Sequence, residues 1–134
     1  MKQALLDSDT LSYYFKRHPQ VVAQFNRYMA THEHVFISRV SIVEILGGLK
    51  AKDANRQIEN FRSFIAQHKI LDTTESSAEI SANIFAELWK GGRHSGNYDI
   101  LIAGTAIENE LTLITNNTKD YEHINGLSLD NWAI

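Results

Sequence analysis

The chain has 134 residues, of which 43% are hydrophobic and 22% charged, with a formal net charge of −3 and no cysteine. This composition predicts a single globular domain over residues 1–134, and it excludes disulfides, thiolate metal sites and cysteine nucleophiles. The net negative charge argues against nucleic-acid binding through bulk charge alone. No apolar run approaches the roughly 20 residues of a membrane span, and Asp7 interrupts the apolar N-terminal segment where a signal peptide would continue. We therefore expect a cytoplasmic protein.

Apolar periodicity predicts strands that alternate with helices along the whole chain. The predicted strands cover residues 3–6, 35–38, 70–71, 111–115 and 127–129. The predicted helices cover residues 9–31 with a break at Pro19, then 41–50, 54–68, 76–90 and 98–109, with Trp89 on a buried face. Such an alternation favours an α/β fold in which a parallel sheet is covered by helices on both faces.

Four acidic residues lie where a short apolar strand gives way to the next polar segment: Asp7, Glu44, Asp99 and Asp120. In a parallel sheet those junctions meet at one edge. Carboxylates gathered there without matching cations repel one another, which raises their pKa values unless a cation intervenes. Mg²⁺ or Mn²⁺ is the natural ion for a site made of oxygen ligands. The pattern therefore indicates metal-assisted phosphodiester chemistry.

Glu44 has a strong structural alternative, because Ser41-Ile42-Val43-Glu44 matches a capping box. In that motif the glutamate at the third helical position bonds back to the amide of the cap residue. The alternative fails if the helix begins earlier, at Ser38. Glu44 would then lie one turn inside the helix and would need a partner.

The other three acids also have ordinary structural roles. Asp7 could cap the helix that follows it, and Asp99 would be favoured by the dipole of its own helix by roughly 0.3–1 kcal/mol. Asp120 could be a turn residue. No single acid decides the matter, whereas the joint pattern places all four at the same edge of the predicted sheet.

Four segments together resemble the PIN-domain ribonucleases, and most closely the VapC toxins of bacterial toxin–antitoxin pairs. The resemblance covers essentially the whole chain. The segments are Leu5-Leu6-Asp7-Ser8-Asp9, Ile37-Ser38 leading to Glu44-Ile45-Leu46-Gly47-Gly48, Tyr98-Asp99-Ile100-Leu101-Ile102-Ala103, and Leu113-Ile114-Thr115-Asn116-Asn117-Thr118-Lys119-Asp120-Tyr121.

This resemblance implies a three-layer α/β/α sandwich with a five-stranded parallel sheet. It implies an acidic triad of Asp7, Glu44 and Asp99, in which Asp7 and Asp99 are the direct ligands of Mg²⁺ or Mn²⁺. It further implies an RNA substrate, a VapB-type antitoxin, a homodimer, and a heterotetramer or larger assembly with the antitoxin. Some family members with a similar Thr-Asn-Asn segment cut initiator tRNA in the anticodon loop, which makes that RNA the leading candidate substrate.

The chain departs from the family pattern at two positions. The first motif usually ends in asparagine, whereas here Asp9 adds a negative charge beside the site. The position of the fourth acid matches Asn117, so Asp120 is the alternative fourth ligand. Thr115, Asn117 and Asp9 are therefore expected to support the site.

Three basic residues flank the predicted site and are candidates for contacts with RNA phosphates: Arg93, His94 and Lys119. Two alternatives to a nuclease stay open from the sequence. A phosphoacceptor signalling domain also carries acids after its first strand, with Asp72 and Lys119 as its further residues here. A catalytically silent binding module is the second alternative, and the presence of all three triad acids disfavours it.

Overall fold

The computed structural model describes residues 1–93 and 96–134, and in them short strands alternate with helices. The strands are β1 (Ala4–Leu6), β2 (Phe36–Ser38), β3 (Lys69–Leu71), β4 (Thr112–Ile114) and β5 (Ser128–Asp130). The helices are α1 (Ser8–Phe15), α2 (Pro19–Met29), α3 (Arg39–Ala51), α4 (Asn55–Ala66), α5 (Glu75–Lys90), α6 (Asn97–Glu108) and α7 (Thr118–Tyr121).

The strands form one five-stranded sheet in the order β3-β2-β1-β4-β5, and every adjacent pair is parallel. Leu5 pairs with Phe36 on one side and with Leu113 on the other, so β1 lies at the centre of the sheet. The predicted parallel α/β fold is confirmed. The carboxyl ends of β1 and β4 are adjacent, and Asp7 directly follows β1 at that edge.

Helices cover both faces of the sheet, which gives the predicted three layers. Side chains of β1 alternate between the faces: Ala4 and Leu6 pack in one core with residues of α1, α2 and α4, whereas Leu5 packs in the other core with residues of α5 and α6. Both cores are well populated, so the strands are buried on both sides as expected for a parallel sheet.

Helix α3 begins earlier than its sequence pattern indicates. It starts at Arg39, and the Ser38 hydroxyl caps it by accepting a hydrogen bond from the Val40 amide at 3.2 Å. The capping-box interpretation of Ser41 and Glu44 is therefore wrong, because both residues lie inside the helix. Glu44 is exposed in the second turn and is free to serve another purpose.

Helices α5 and α6 pack against each other at very short range. A Cβ atom added at Gly104 would lie 2.7 Å from the Ser77 carbonyl oxygen and would clash with the Ser81 side chain. This contact explains the small residues of α6 and holds its first turn, which carries Asp99, over the sheet. Trp89 of α5 is 64% exposed, so its predicted burial is wrong. Within residues 1–93 and 96–134, no helix is long and apolar enough to span a membrane.

Candidate active site at the carboxyl edge of the sheet

Asp7 is held rigidly at the point where β1 passes into α1. Its backbone amide donates to the Ile114 carbonyl at 3.1 Å, which ties it to the end of β4. Its side chain caps α1 by accepting a hydrogen bond from the Thr10 amide at 3.0 Å. Only 5% of Asp7 is exposed. The helix-capping role is therefore real, and it also fixes a buried carboxylate at the edge of the sheet.

The environment of Asp7 disfavours its charged form. Burial is the main cause and, together with Asp9, raises the pKa of Asp7 to about 8 from an ordinary value of 3.8. Asp9 contributes both a shared hydrogen bond and its negative charge, whereas hydrogen bonds from Thr115 and the Thr10 amide act in the opposite direction. The side chains of Asp9 and Asp7 thus belong to one cluster of interacting carboxylates.

Asp99 joins this group from the first turn of α6. It is partly buried, and burial raises its pKa above the ordinary value. A hydrogen bond from the Tyr121 hydroxyl lowers the pKa, while the charges of Asp120 and Asp9 raise it. Asp99 therefore lies within electrostatic reach of acids that follow both β1 and β4.

Tyr121 lies at the centre of these acids. Its side chain is 2% exposed, and its pKa is raised first by burial and then by the charges of Asp99, Asp7 and Asp9. Its hydroxyl therefore stays protonated and donates to Asp99. Sequence reasoning did not assign it a role, because a tyrosine after a polar turn is usually a core residue. Its position directly after Asp120 was the one available signal.

Glu44 reaches the same edge from α3. The Ser8 hydroxyl donates to its Oε1 atom at 2.6 Å, and Ser8 is the residue next to Asp7. Glu44 and Asp9 also line a common surface pocket of about 420 Å³. Glu44 differs from Asp7 in being exposed to solvent, so it faces the space that a substrate would enter.

The two candidates for a fourth position have different surroundings. The charge of Asp120 acts on Asp99, and its amide donates to the Asn117 carbonyl at 3.0 Å in the short helix α7. The Asn117 amide donates to the Thr115 hydroxyl oxygen at 3.0 Å, so Asn117 shapes the turn after β4. Thr115 is buried and bonds to Asp7 as well. Of these two residues, Asp120 is thus the one whose charge acts on Asp99.

The predicted RNA-contacting residues are less closely connected to the acids. Lys119 is exposed in α7, one residue before Asp120. Arg93 is exposed and lines a pocket of about 400 Å³ with His123 and Ile124, and that pocket shares no residue with the one beside Glu44. His94 lies outside the described residues.

The donor set suits a hard divalent cation. Within the described ranges, no three histidine or carboxylate side chains are already arranged to hold one ion together. Mg²⁺ commonly binds through one or two carboxylates and completes its shell with water and substrate oxygens. Asp7 and Asp99 suit that requirement, and their raised pKa values show acidic groups that no cation among residues 1–93 and 96–134 neutralises.

One of the two residues expected of a phosphoacceptor domain, Asp72, is engaged elsewhere. Asp72, at the end of β3, pairs with the Arg39 guanidinium at 2.7 Å on the surface. Among residues 1–93 and 96–134 this is the one ion pair present. Asp72 is therefore engaged with Arg39 and does not belong to the acidic cluster around Tyr121. The geometry thus gives no support to that alternative.

Comparison with known proteins agrees with the geometry. The sequence profile of the PIN domain matches residues 4–127. This chain belongs to the PIN-domain family. Members of that family are generally nucleases that depend on a divalent metal, and the acids at the carboxyl edge of this PIN domain suit that chemistry.

Comparison with individual relatives places the chain more narrowly within the family. Ribonuclease VapC2 of Haemophilus influenzae is 31% identical over 99% of this chain and 100% of its own length. The tRNA(fMet)-specific endonuclease VapC of Shigella flexneri is 29% identical over 99% and 100%. The crystal structure of DNA-bound VapBC from Salmonella typhimurium contains a chain with 30% identity and a TM-score of 0.85, covering 98% of this chain and 99% of that one. The chain is thus a VapC ribonuclease of the toxin–antitoxin type.

Replacing Tyr121 by phenylalanine tests whether its hydroxyl controls Asp99. The change removes the hydrogen bond that lowers the pKa of Asp99, so that pKa should rise further. We expect RNA cleavage at neutral pH to fall roughly tenfold, because a hydrogen bond to a charged group is worth about 1.5–3 kcal/mol. The acidic limb of the pH–rate profile should move to higher pH.

Tyr98→Phe is the matched control for this prediction. Tyr98 is the neighbour of Asp99 in α6, but its side chain is 49% exposed. An unchanged pH–rate profile in Tyr121→Phe, or an equal shift in both variants, would contradict the role assigned to the Tyr121 hydroxyl.

Proposed function

We propose that this chain is the toxin of a toxin–antitoxin pair and that it hydrolyses a phosphodiester bond of tRNA with the help of Mg²⁺ or Mn²⁺. Initiator tRNA is the first candidate substrate, and its anticodon loop is the proposed site of cleavage. The observation that carries the proposal is the group of Asp7, Asp9 and Asp99 around the buried Tyr121 hydroxyl. The name of the Shigella flexneri relative supports the choice of tRNA.

Within this proposal, Asp7 and Asp99 hold the metal ion, and Asp120, with Asn117 as the alternative, completes its surroundings. When bound, the ion lowers the pKa of a water molecule and neutralises charge that builds up on the phosphate. The protein contributes geometry: the Thr10 amide and Thr115 fix Asp7, and Tyr121 fixes Asp99.

Glu44 has a different part in the proposed reaction. It is exposed and its Oε1 atom is held by the Ser8 hydroxyl at 2.6 Å, so it presents a fixed carboxylate toward the substrate. We assign it the orientation of the attacking water. Arg93, His94 and Lys119 would contact phosphates outside the reacting bond, and the affinity they give should fall as salt rises.

The proposed partner is a VapB-type antitoxin, since the Salmonella typhimurium structure holds VapB and VapC together. A homodimer, and a heterotetramer or larger complex with the antitoxin, follow by the same analogy. Its tRNA substrate would place the protein in the cytoplasm.

The test is cleavage of defined RNAs by the purified chain. Initiator tRNA, elongator methionine tRNA and an unstructured RNA are incubated with Mg²⁺, Mn²⁺ or EDTA, and new 5′ ends are sequenced. We expect one cut in the anticodon loop of initiator tRNA that requires a divalent ion. Cleavage that persists in EDTA would refute the metal assignment, and equal cutting of all three RNAs would refute the tRNA assignment.

A further inference from the structure

A continuous surface groove runs between α1, α3 and α4 and opens at the acidic site. It consists of two adjoining pockets of about 420 Å³ and about 170 Å³. The pockets share five lining residues, which are Ser12, Lys16, Ile45, Leu49 and Gln57. The two cavities are therefore parts of one groove.

The lining residues follow helical periodicity, so the groove is a regular feature of three helix faces. On α3 and its C-cap residue, Glu44, Gly48 and Lys52 recur every four residues along the wall of the groove. On α1 and its C-cap residue, Asp9, Ser12 and Lys16 follow one another at three and then four residues, which also places them on one helix face. One end of the groove is thus formed by Asp9 and Glu44, directly beside Asp7, and the other end lies between α1 and α4.

The chemistry of the groove changes along its length. At the acidic end it is negative, and beyond that end it carries Lys16 and Lys52, neither of which forms an ion pair within residues 1–93 and 96–134. Deeper in, the partly buried Phe15 provides aromatic surface, and its ring centroid lies 5.7 Å from that of the buried Phe61 behind it. Gln57 and Asn60 of α4 add polar groups at the rim.

We propose that this groove binds the RNA nucleotides adjacent to the cleaved bond, with backbone phosphates on Lys16 and Lys52 and one base against Phe15. The inference rests on the proposed ribonuclease function. An RNA strand that approaches Asp7, Asp9, Glu44 and Asp99 is repelled, and two unpaired lysines in the adjoining wall offset that repulsion where the strand must leave the site. Cations together with an aromatic surface are the usual elements of single-strand recognition.

Gly48 offers a direct way to block the groove. It lines the larger pocket, and a Cβ atom built there has no heavy atom within 4 Å. Gly47, its neighbour on α3, has equally open surroundings but does not line either pocket. Gly48→Phe and Gly47→Phe are therefore a matched pair, and both should melt at or above the temperature of the parent because glycine disfavours a helix.

Binding is measured in an Asp99→Asn background, so that the RNA survives. The probes are a fluorescein-labelled 20-nucleotide single-stranded RNA and an initiator tRNA transcript, with fluorescence anisotropy as the readout. We expect Gly48→Phe to weaken RNA binding by about tenfold or more, as loss of one base-stacking contact implies. Gly47→Phe should bind as the parent does.

The lysines are tested independently of any filling of the groove. Lys16→Gln combined with Lys52→Gln should reduce the slope of log Kd against log salt by about 1.4, since each phosphate contact on a single strand contributes roughly 0.7. Lys50→Gln combined with Lys69→Gln removes the same charge from exposed positions outside both pockets and should leave the slope near that of the parent.

Two results would overturn the inference. In the first, Gly48→Phe and the Lys16/Lys52 variant bind both RNAs as well as their controls do. In the second, these variants still bind RNA but no longer bind a co-expressed VapB-type antitoxin, which would show that the groove binds the antitoxin and not RNA. RNA binding is measured without cleavage. A wild-type chain that cuts no RNA would therefore refute the proposed function, whereas the binding measurements would still test the groove.

Discussion

Asp99→Asn should lower the rate of RNA cleavage by about a hundredfold or more, and Asp7→Asn should do the same. Each change removes a negative charge that we assign to metal binding, and the ion's stabilisation of charge on the phosphate is worth several kcal/mol. Asparagine has nearly the same shape as aspartate, so the packing around Tyr121 and Thr10 should be retained. Single-turnover cleavage of initiator tRNA, with every protein at the Mn²⁺ concentration that saturates the wild type, measures the loss of rate.

Asp130→Asn is the control for these two variants. Asp130 ends β5 at the same edge of the sheet and is exposed, and its side chain accepts a hydrogen bond from the Asn131 amide at 2.8 Å. It should cleave RNA at the wild-type rate. If either Asp7→Asn or Asp99→Asn kept full activity, these carboxylates could not be the metal ligands.

Asp7→Asn should also make the metal-free protein more stable at neutral and alkaline pH. Asp7 titrates near pH 8 in the folded chain, against an ordinary value of 3.8. Between those values the folded state binds a proton that the unfolded state does not, so the free energy of unfolding contributed by Asp7 falls as pH rises through this interval. Asparagine does not ionise, so the variant avoids this fall in the free energy of unfolding, and its side chain can still cap α1.

We expect Asp7→Asn to raise the Tm at pH 8.5 in EDTA by about 5 °C or more, since 1 kcal/mol corresponds to a few degrees in a chain of this size. The difference should shrink toward pH 3.5, where the wild-type carboxyl group is protonated in both states. Thermal melts of both proteins across this pH range, with Asp130→Asn as the reference, measure it. A Tm difference that does not depend on pH would contradict the burial of an ionisable Asp7.

The alternation of strands and helices could be predicted because each element carries its own apolar periodicity. Five strands with helices between them emerge from local patterns such as Leu111–Thr115, and parallel pairing follows from the intervening helices. The start of α3 could not be decided this way. Ser38 and Ser41 are both good cap residues, and only the folded structure shows that β2 ends at Ser38 and that this residue caps α3.

The positions of the acids in the chain were visible in the sequence, but their electrostatic coupling was not. That Asp9 shares a hydrogen bond with Asp7, and that Tyr121 donates to Asp99, depends on contacts between segments that are distant in sequence. The exposure of Trp89 was also hidden, because the helical pattern of α5 does not show where its antiparallel partner α6 begins. Long-range packing, rather than local propensity, decides these features.

Direct titration of Mn²⁺ into the purified chain by isothermal titration calorimetry at pH 8 tests the central claim, that Asp7 and Asp99 together hold a divalent ion. We predict a saturable site in the wild-type protein and in Asp130→Asn. The same site should be absent from Asp7→Asn and from Asp99→Asn. Equal Mn²⁺ binding in all four proteins, or none in the wild type, would contradict the claim.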